Sequence, residues 1–282
     1  MRLAISNIAW HPHEAEAALE QLHALGVEGL EIAPGLAFAT EADPFRPNPE
    51  AIREWRSKLD QRGLTLVSMQ SLLFGRPDVA LFGQKAQREG FESGIETAIE
   101  LAKSIGCPTL VLGSPTARSI PDEMDRATAR EIALDVMGRL GDRCGAIGAC
   151  LALEPNPAAY GTNFLNTLEE TATFVRAVAH PAVRVNLDLG ALIMNGETDT
   201  ALQTLPESLD LIGHVHISEP HLAPAPADVS ALSRVLAALM RAGHQGWVSI
   251  EMRAASEDNL GRVRDSLVKA QAAIQQVEAA AG

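Results

Sequence analysis

Residues 184–188 read Arg-Val-Asn-Leu-Asp and run on into Leu189-Gly190. Side chains alternate across a strand, so Val185 and Leu187 share one face while Asn186 and Asp188 share the other. The pattern recurs in three other stretches: Cys-Leu-Ala-Leu-Glu at 150–154, Ile-Gly-His-Val-His-Ile at 212–217, and Trp-Val-Ser-Ile-Glu at 247–251. Large apolar side chains take one parity each time. Ala152 and Glu154, His214 and His216, and Ser249 and Glu251 take the other. In a sheet wrapped by helices the large apolar set faces the helix layer, because that interface needs the hydrophobic area. The smaller or polar set is then left facing inward, with a potential metal ligand at the carboxyl end of each strand.

Working outward, four more strand-length runs precede these: Leu3–Asn7, Gly29–Ala33, Leu64–Met69 and Thr109–Gly113. Amphipathic stretches lie between the eight strands, at Glu14–Leu25, Pro49–Arg62, Phe91–Ile105, Arg126–Ile147, Leu168–Val178, Val229–Arg241 and Glu257–Ala279. A further helix over Thr198–Leu209 should be cut short by Pro206. Strictly alternating strand and helix imply a parallel sheet with right-handed crossovers. Eight such units predict an α/β protein of the (β/α)8 TIM barrel type, a single domain over residues 1–282. An open dinucleotide-binding sheet would carry a glycine fingerprint after its first strand, and Asn7-Ile8-Ala9-Trp10 stands there instead. Loops after the strands are long and proline-bearing. Turns before them are short and carry Gly26, Gly63, Gly106 and Gly243. Barrel enzymes are built that way.

Composition narrows the function. The chain has 282 residues, 46% of them hydrophobic, and a formal charge of −13. So acidic a surface repels phosphate backbones, which argues against nucleic-acid binding. No run approaches the roughly 18 apolar residues that span a bilayer, and the first residues lack the pattern of a secretory signal. A cytoplasmic protein without a membrane partner is expected. Cys107, Cys144 and Cys150 form no CxxC pair and read as reduced, buried thiols.

Three carboxylates and an imidazole converging at strand ends need a counter-charge. Without one, repulsion and desolvation would raise the carboxyl pKa values. One divalent ion on Glu154, Asp188, His216 and Glu251 removes that conflict. The donor set suits Mn²⁺ first, with Mg²⁺, Co²⁺ or Zn²⁺ as alternatives.

The motifs LALEPNP (151–157), NLDLGAL (186–192), GHVHISEP (213–220) and VSIEM (248–252) carry a resemblance. The chain resembles the xylose isomerase-like barrels, in particular the sugar phosphate isomerase/epimerase branch that includes ketose 3-epimerases. The resemblance implies that Glu154, Asp188, His216 and Glu251 bind one metal ion, and that Glu154 and Glu251 are the catalytic carboxylates. Two positions depart from the ketose epimerase pattern. Ala191 stands where a histidine follows the metal-binding aspartate, and Leu222 where an arginine follows the metal-binding histidine.

The expected activity is isomerisation or epimerisation of a sugar or sugar derivative, by proton transfer through a metal-stabilised enediolate. His214, Asn156, Glu31, Glu219 and Arg253 are candidate substrate contacts. Asn156 alternatively orients Glu154, and Glu219 alternatively pairs with Arg253. Trp10, Phe74 and Tyr160 are candidates for an apolar wall, and Arg76, Arg118 and Arg253 leave a phosphorylated substrate open. His11 and His13 read as surface loop residues. The competing functions are a metal-dependent dehydratase or lyase, a non-catalytic ligand-binding barrel and a DNA-repair nuclease. The last needs more metal ligands than these residues supply. A homo-oligomer is compatible with the sequence.

Overall fold

The computed structural model describes residues 1–281. Among them, eight strands follow one another in spatial order and close into a parallel barrel. The strands are β1 (Arg2–Ser6), β2 (Gly29–Ile32), β3 (Thr65–Met69), β4 (Thr109–Leu112), β5 (Cys150–Leu153), β6 (Val183–Asp188), β7 (Ile212–Ser218) and β8 (Trp247–Glu251). Their positions match the sequence expectation to within a residue or two at each end. Ten α-helices accompany them: α1 (Ala15–Ala24), α2 (Pro34–Ala37), α3 (Pro49–Asp60), α4 (Lys85–Ile105), α5 (Arg126–Ala146), α6 (Leu168–Val178), α7 (Leu189–Asn195), α8 (Thr198–Ser208), α9 (Val229–Ala242) and α10 (Asn259–Ala281).

Four helices differ from expectation. The short α2 was not anticipated, and α4 begins at Lys85, well before the expected Phe91. α8 runs through Pro206 to Ser208 rather than stopping before it. A proline in a last turn removes a single intrahelical bond, and the chain then tightens into a 3₁₀ turn over Leu209–Leu211. The sequence reading missed α7. It starts directly at the end of β6, where the Asp188 carboxylate accepts a hydrogen bond from Ala191 N at 2.6 Å and caps it.

Contacts group the chain into two compact units. The first comprises Met1–Val67, Asp188–Asp210 and Val215–Gly282. Within it β1 pairs with β2 (Ala4 opposite Gly29) and with β8 (Leu3 opposite Val248), and β7 pairs with β8 (His216 opposite Ser249). Asn7 fastens the ends of β1 and β2. Its amide accepts from Ala33 N at 2.6 Å and donates to Ala33 O at 3.3 Å. The second unit comprises Ser68–Leu187 and Leu211–His214. There β3 pairs with β4, β4 with β5 and β5 with β6, with Val111 opposite Ala152 and Ala152 opposite Arg184.

Burial follows the parity argument in both units. Val185, Leu187, Val215, Ile217, Val248 and Ile250 are buried, and so are the polar residues of opposite parity, Asn186, His214, His216 and Ser249. A strand buried on both faces is what a barrel interior behind a helix layer requires. Cys107 and Cys144 are buried as expected, whereas Cys150 is half-buried. Burial pushes the Cys144 thiol up to about 12, so it stays protonated at neutral pH. Among the described residues, no helix is long and apolar enough to cross a membrane.

Candidate metal centre

In the first unit three expected ligands meet. Asp188 ends β6, His216 lies in β7 and Glu251 ends β8. His216 is fully buried, and the two carboxylate residues are each 7% exposed. His216 Nδ1 lies 3.4 Å from Glu251 Oε2 and 3.7 Å from Asp188 Oδ2. Its other nitrogen, Nε2, is 3.0 Å from Glu31 Oε2. With Nε2 on Glu31, Nδ1 is the ring nitrogen left to face Asp188 and Glu251.

Those spacings fit a shared cation. Two donors each about 2.1 Å from one ion, at angles between square and tetrahedral, stand about 3.0–3.4 Å apart. Two buried carboxylates facing one ring nitrogen form a donor set of the right chemistry and nearly the right separation. The Asp188 carboxylate is held from behind as well. Its Oδ2 accepts from Ser218 Oγ at 2.6 Å, and that hydroxyl accepts from Gly190 N at 2.8 Å. Ser218 was not anticipated, although its place two residues after His216 gives it the same parity.

In the second unit Glu154 follows the last residue of β5. Both of its oxygens are engaged. Asn186 Nδ2 donates to Oε1 at 2.9 Å, and Asn156 Nδ2 donates to Oε2 at 2.8 Å. The two amide donors hold both carboxylate oxygens in place. Gly113, just past β4, makes room for it. A Cβ there would stand 2.6 Å from Glu154 Oε2. Asn156 thus touches Glu154 directly.

The remaining expected substrate contacts divide. His214 is 3% exposed, and its Nε2 lies 3.2 Å from Ser68 Oγ. Glu31 is completely buried and bonds His216. Among the described residues Glu219 does not pair with Arg253. It accepts from Ala227 N at 2.7 Å, while Arg253 is exposed with its backbone N–H on Leu222 O. Trp10 is buried, Tyr160 is half-buried, and Phe74 is 71% exposed.

The three basic residues that left phosphate open also separate. Arg118 is fully buried, with its guanidinium on Gly113 O, Glu154 O and Asn156 Oδ1. Desolvation lowers its pKa to about 10, partly offset by Glu154 and Glu170, so it remains a cation at neutral pH. The guanidinium of Arg76 lies along α4, where a Cβ on Gly94 would come within 3.0 Å of Nη1. Of the three, only Arg253 is exposed. His11 and His13 stack on each other in the loop after β1, with His11 Nε2 on Ala255 O.

A closed parallel barrel with acidic and imidazole side chains at its strand ends defines a class, and the whole-chain comparison gives it a family. The chain belongs to the xylose isomerase-like TIM barrel family, whose model matches residues 19–274. It is 25% identical to a putative hydroxypyruvate isomerase of Mus musculus, over 88% of each chain. It is 24% identical to the 3-dehydro-D-guloside 4-epimerase of Escherichia coli K12, over 95% of this chain and 98% of that one. Among solved structures, L-ribulose 3-epimerase superposes with a TM-score of 0.77 at 16% identity, covering 99% of this chain and 96% of the other.

Proposed function

We propose that this protein is a divalent-metal-dependent sugar epimerase or isomerase whose cation is held by Glu154, Asp188, His216 and Glu251. One observation carries the reading. Within the first unit Asp188, His216 and Glu251 converge, with His216 Nδ1 3.4 Å from Glu251 Oε2 and 3.7 Å from Asp188 Oδ2. Three oxygens and one nitrogen favour manganese, with magnesium close behind. Glu31 and His216 make a second acidic and imidazole contact in the same unit. There, however, the Nε2 of His216 is already a hydrogen-bond partner of Glu31, so the group reads better as support for His216 than as a cation site of its own.

When bound, the cation supplies Lewis acidity that polarises a substrate carbonyl and stabilises negative charge developing beside it. The chain's own residues do the rest. Glu154, fixed through both oxygens by Asn156 and Asn186, is pre-set as a carboxylate able to take a proton from the carbon next to the carbonyl. Glu251 is its counterpart: in its protonated form it delivers a second proton to the enediolate, and the two carboxyls exchange protons with solvent before the next turnover. Delivery to the opposite face of the same carbon inverts the centre. Delivery to the neighbouring carbon converts aldose and ketose. Glu31 keeps the His216 ring in one tautomer throughout. The full-length likeness to an epimerase and a putative isomerase supports proton transfer on a hydroxy-carbonyl compound.

The test is incubation of the purified protein with a panel of ketoses, 3-keto and 4-keto sugars and hydroxypyruvate in D₂O with Mn²⁺. Deuterium should enter at one carbon beside the carbonyl, and both Glu154→Gln and Glu251→Gln should abolish it. Absence of label from the whole panel with a metal-loaded protein would refute the reading.

A further inference from the structure

We propose that Arg118 is a positioning residue for Glu154, acting through the side chain of Asn156. Its role in catalysis rests on the assignment of Glu154 above. Arg118 ends the 3₁₀ turn Pro115–Arg118 in the loop after β4. An arginine in a barrel-mouth loop ordinarily lies in solvent or on substrate. This one folds inward and is fully buried.

The guanidinium ties three groups together. Nε donates to Gly113 O at 2.7 Å, and Nη2 donates to Glu154 O at 3.0 Å and to Asn156 Oδ1 at 2.6 Å. The first two bonds fasten the ends of β4 and β5 to one rigid fork. The third settles the Asn156 amide. An amide can present either its oxygen or its NH₂ to a given neighbour. With a cation on Oδ1, only the NH₂ is left for Glu154 Oε2, which it reaches at 2.8 Å. A turned amide would set NH₂ against guanidinium and oxygen against carboxylate, two repulsive contacts in a buried site. Arg118 thereby dictates which atom Glu154 meets. Gly113 complements it, since any larger residue there would press on the same Oε2.

Packing alone does not account for a cation in this place. Burying a guanidinium costs desolvation that an apolar side chain of similar length avoids. Arg118 Nη1 is also buried with no hydrogen-bond partner. The residue carries a cost that a methionine would not, and what it gains is the polarity of Asn156.

The test uses Arg118→Met, Asn156→Ser, the double variant, and Arg118→Met combined with Glu154→Gln. Two readouts are taken: the Mn²⁺ dissociation constant and the crystal structure of the metal-free protein. Arg118→Met should bind Mn²⁺ about 10- to 100-fold more weakly, the usual effect of losing support behind a ligand. In the Asn156→Ser and Glu154→Gln backgrounds the same change should weaken binding no further. In the metal-free crystals the Asn156 amide should turn and the Glu154 carboxylate should leave its place. An unmoved Glu154 in Arg118→Met, or losses that simply multiply in the double variant, would overturn the proposal. If Arg118→Met does not fold, Asn156→Ser decides alone, since it breaks the last link while leaving Arg118 intact. An unmoved Glu154 there overturns the proposal equally. A wild-type protein that binds no Mn²⁺ would sink the metal site, and the metal-free crystals would still decide the role of Arg118.

Discussion

The two ring nitrogens of His216 face different neighbours, and the difference decides what the residue can do. Nε2 is held by the buried carboxylate of Glu31, while Nδ1 faces Glu251 and Asp188. Glu31→Gln keeps the shape of that contact but removes the charge that makes Nδ1 a strong donor. The expected outcome is a chain that folds normally and binds Mn²⁺ about 10- to 100-fold more weakly, as read by titration of free Mn²⁺. Unchanged affinity would mean that Glu31 does not support the metal ligand. The sequence placed His216 on an inward parity and offered Glu31 as a candidate substrate contact, but it could not say that one held the other. That depends on how strands distant in sequence are brought together. Arg118 was less legible still. Whether a loop arginine reaches solvent depends on the left-handed turn at Ser114 (φ 46°) that opens the Pro115–Arg118 segment, and no local pattern announces that turn.

The strands were legible because each is a short apolar run whose alternate positions are small or polar. That period is a property of the residues themselves. The helix α7 was not. Its residues, Leu189–Asn195, continue the apolar character of β6 without a break, and the only start signal is Asp188, which doubles as a candidate metal ligand. Surface helices are joined by charge as well. Glu16 on α1 is bonded to Lys58 at 2.5 Å on α3 and to Arg62 at 3.0 Å just beyond it. The Lys58 hydrogen bond is the largest influence lowering the Glu16 pKa below its ordinary value near 4.5. A carboxyl depressed in the folded state contributes stability that is present above its unfolded pKa and lost as pH falls through the folded one. Glu16→Gln should therefore lower the urea midpoint slightly at pH 7. The gap to wild type should narrow as pH falls below about 4.5 and shrink in high salt, since the pair is exposed. A gap that stayed constant from pH 7 down to about pH 2 would show that the ion pair is not its source.

At the scale of the whole molecule, eight strand–helix units close one barrel and bring the ends of β5, β6, β7 and β8 into spatial succession. Parity within each strand and adjacency between strands together favour a shared cation, and the first of these was readable from residues 150–154, 184–188, 212–217 and 247–251 alone. The supports behind the ligands, Glu31, Ser218, Asn186 and Arg118, come from other strands and loops and become visible only in the fold. The central claim is that one cation sits among Glu154, Asp188, His216 and Glu251. Its most direct test is a crystal of the wild-type protein grown with Mn²⁺, with data collected at the manganese absorption edge. The account predicts one anomalous peak per chain within ligand distance of all four side chains. A peak held instead by Glu31 and His214, or no peak at saturating Mn²⁺, would contradict it.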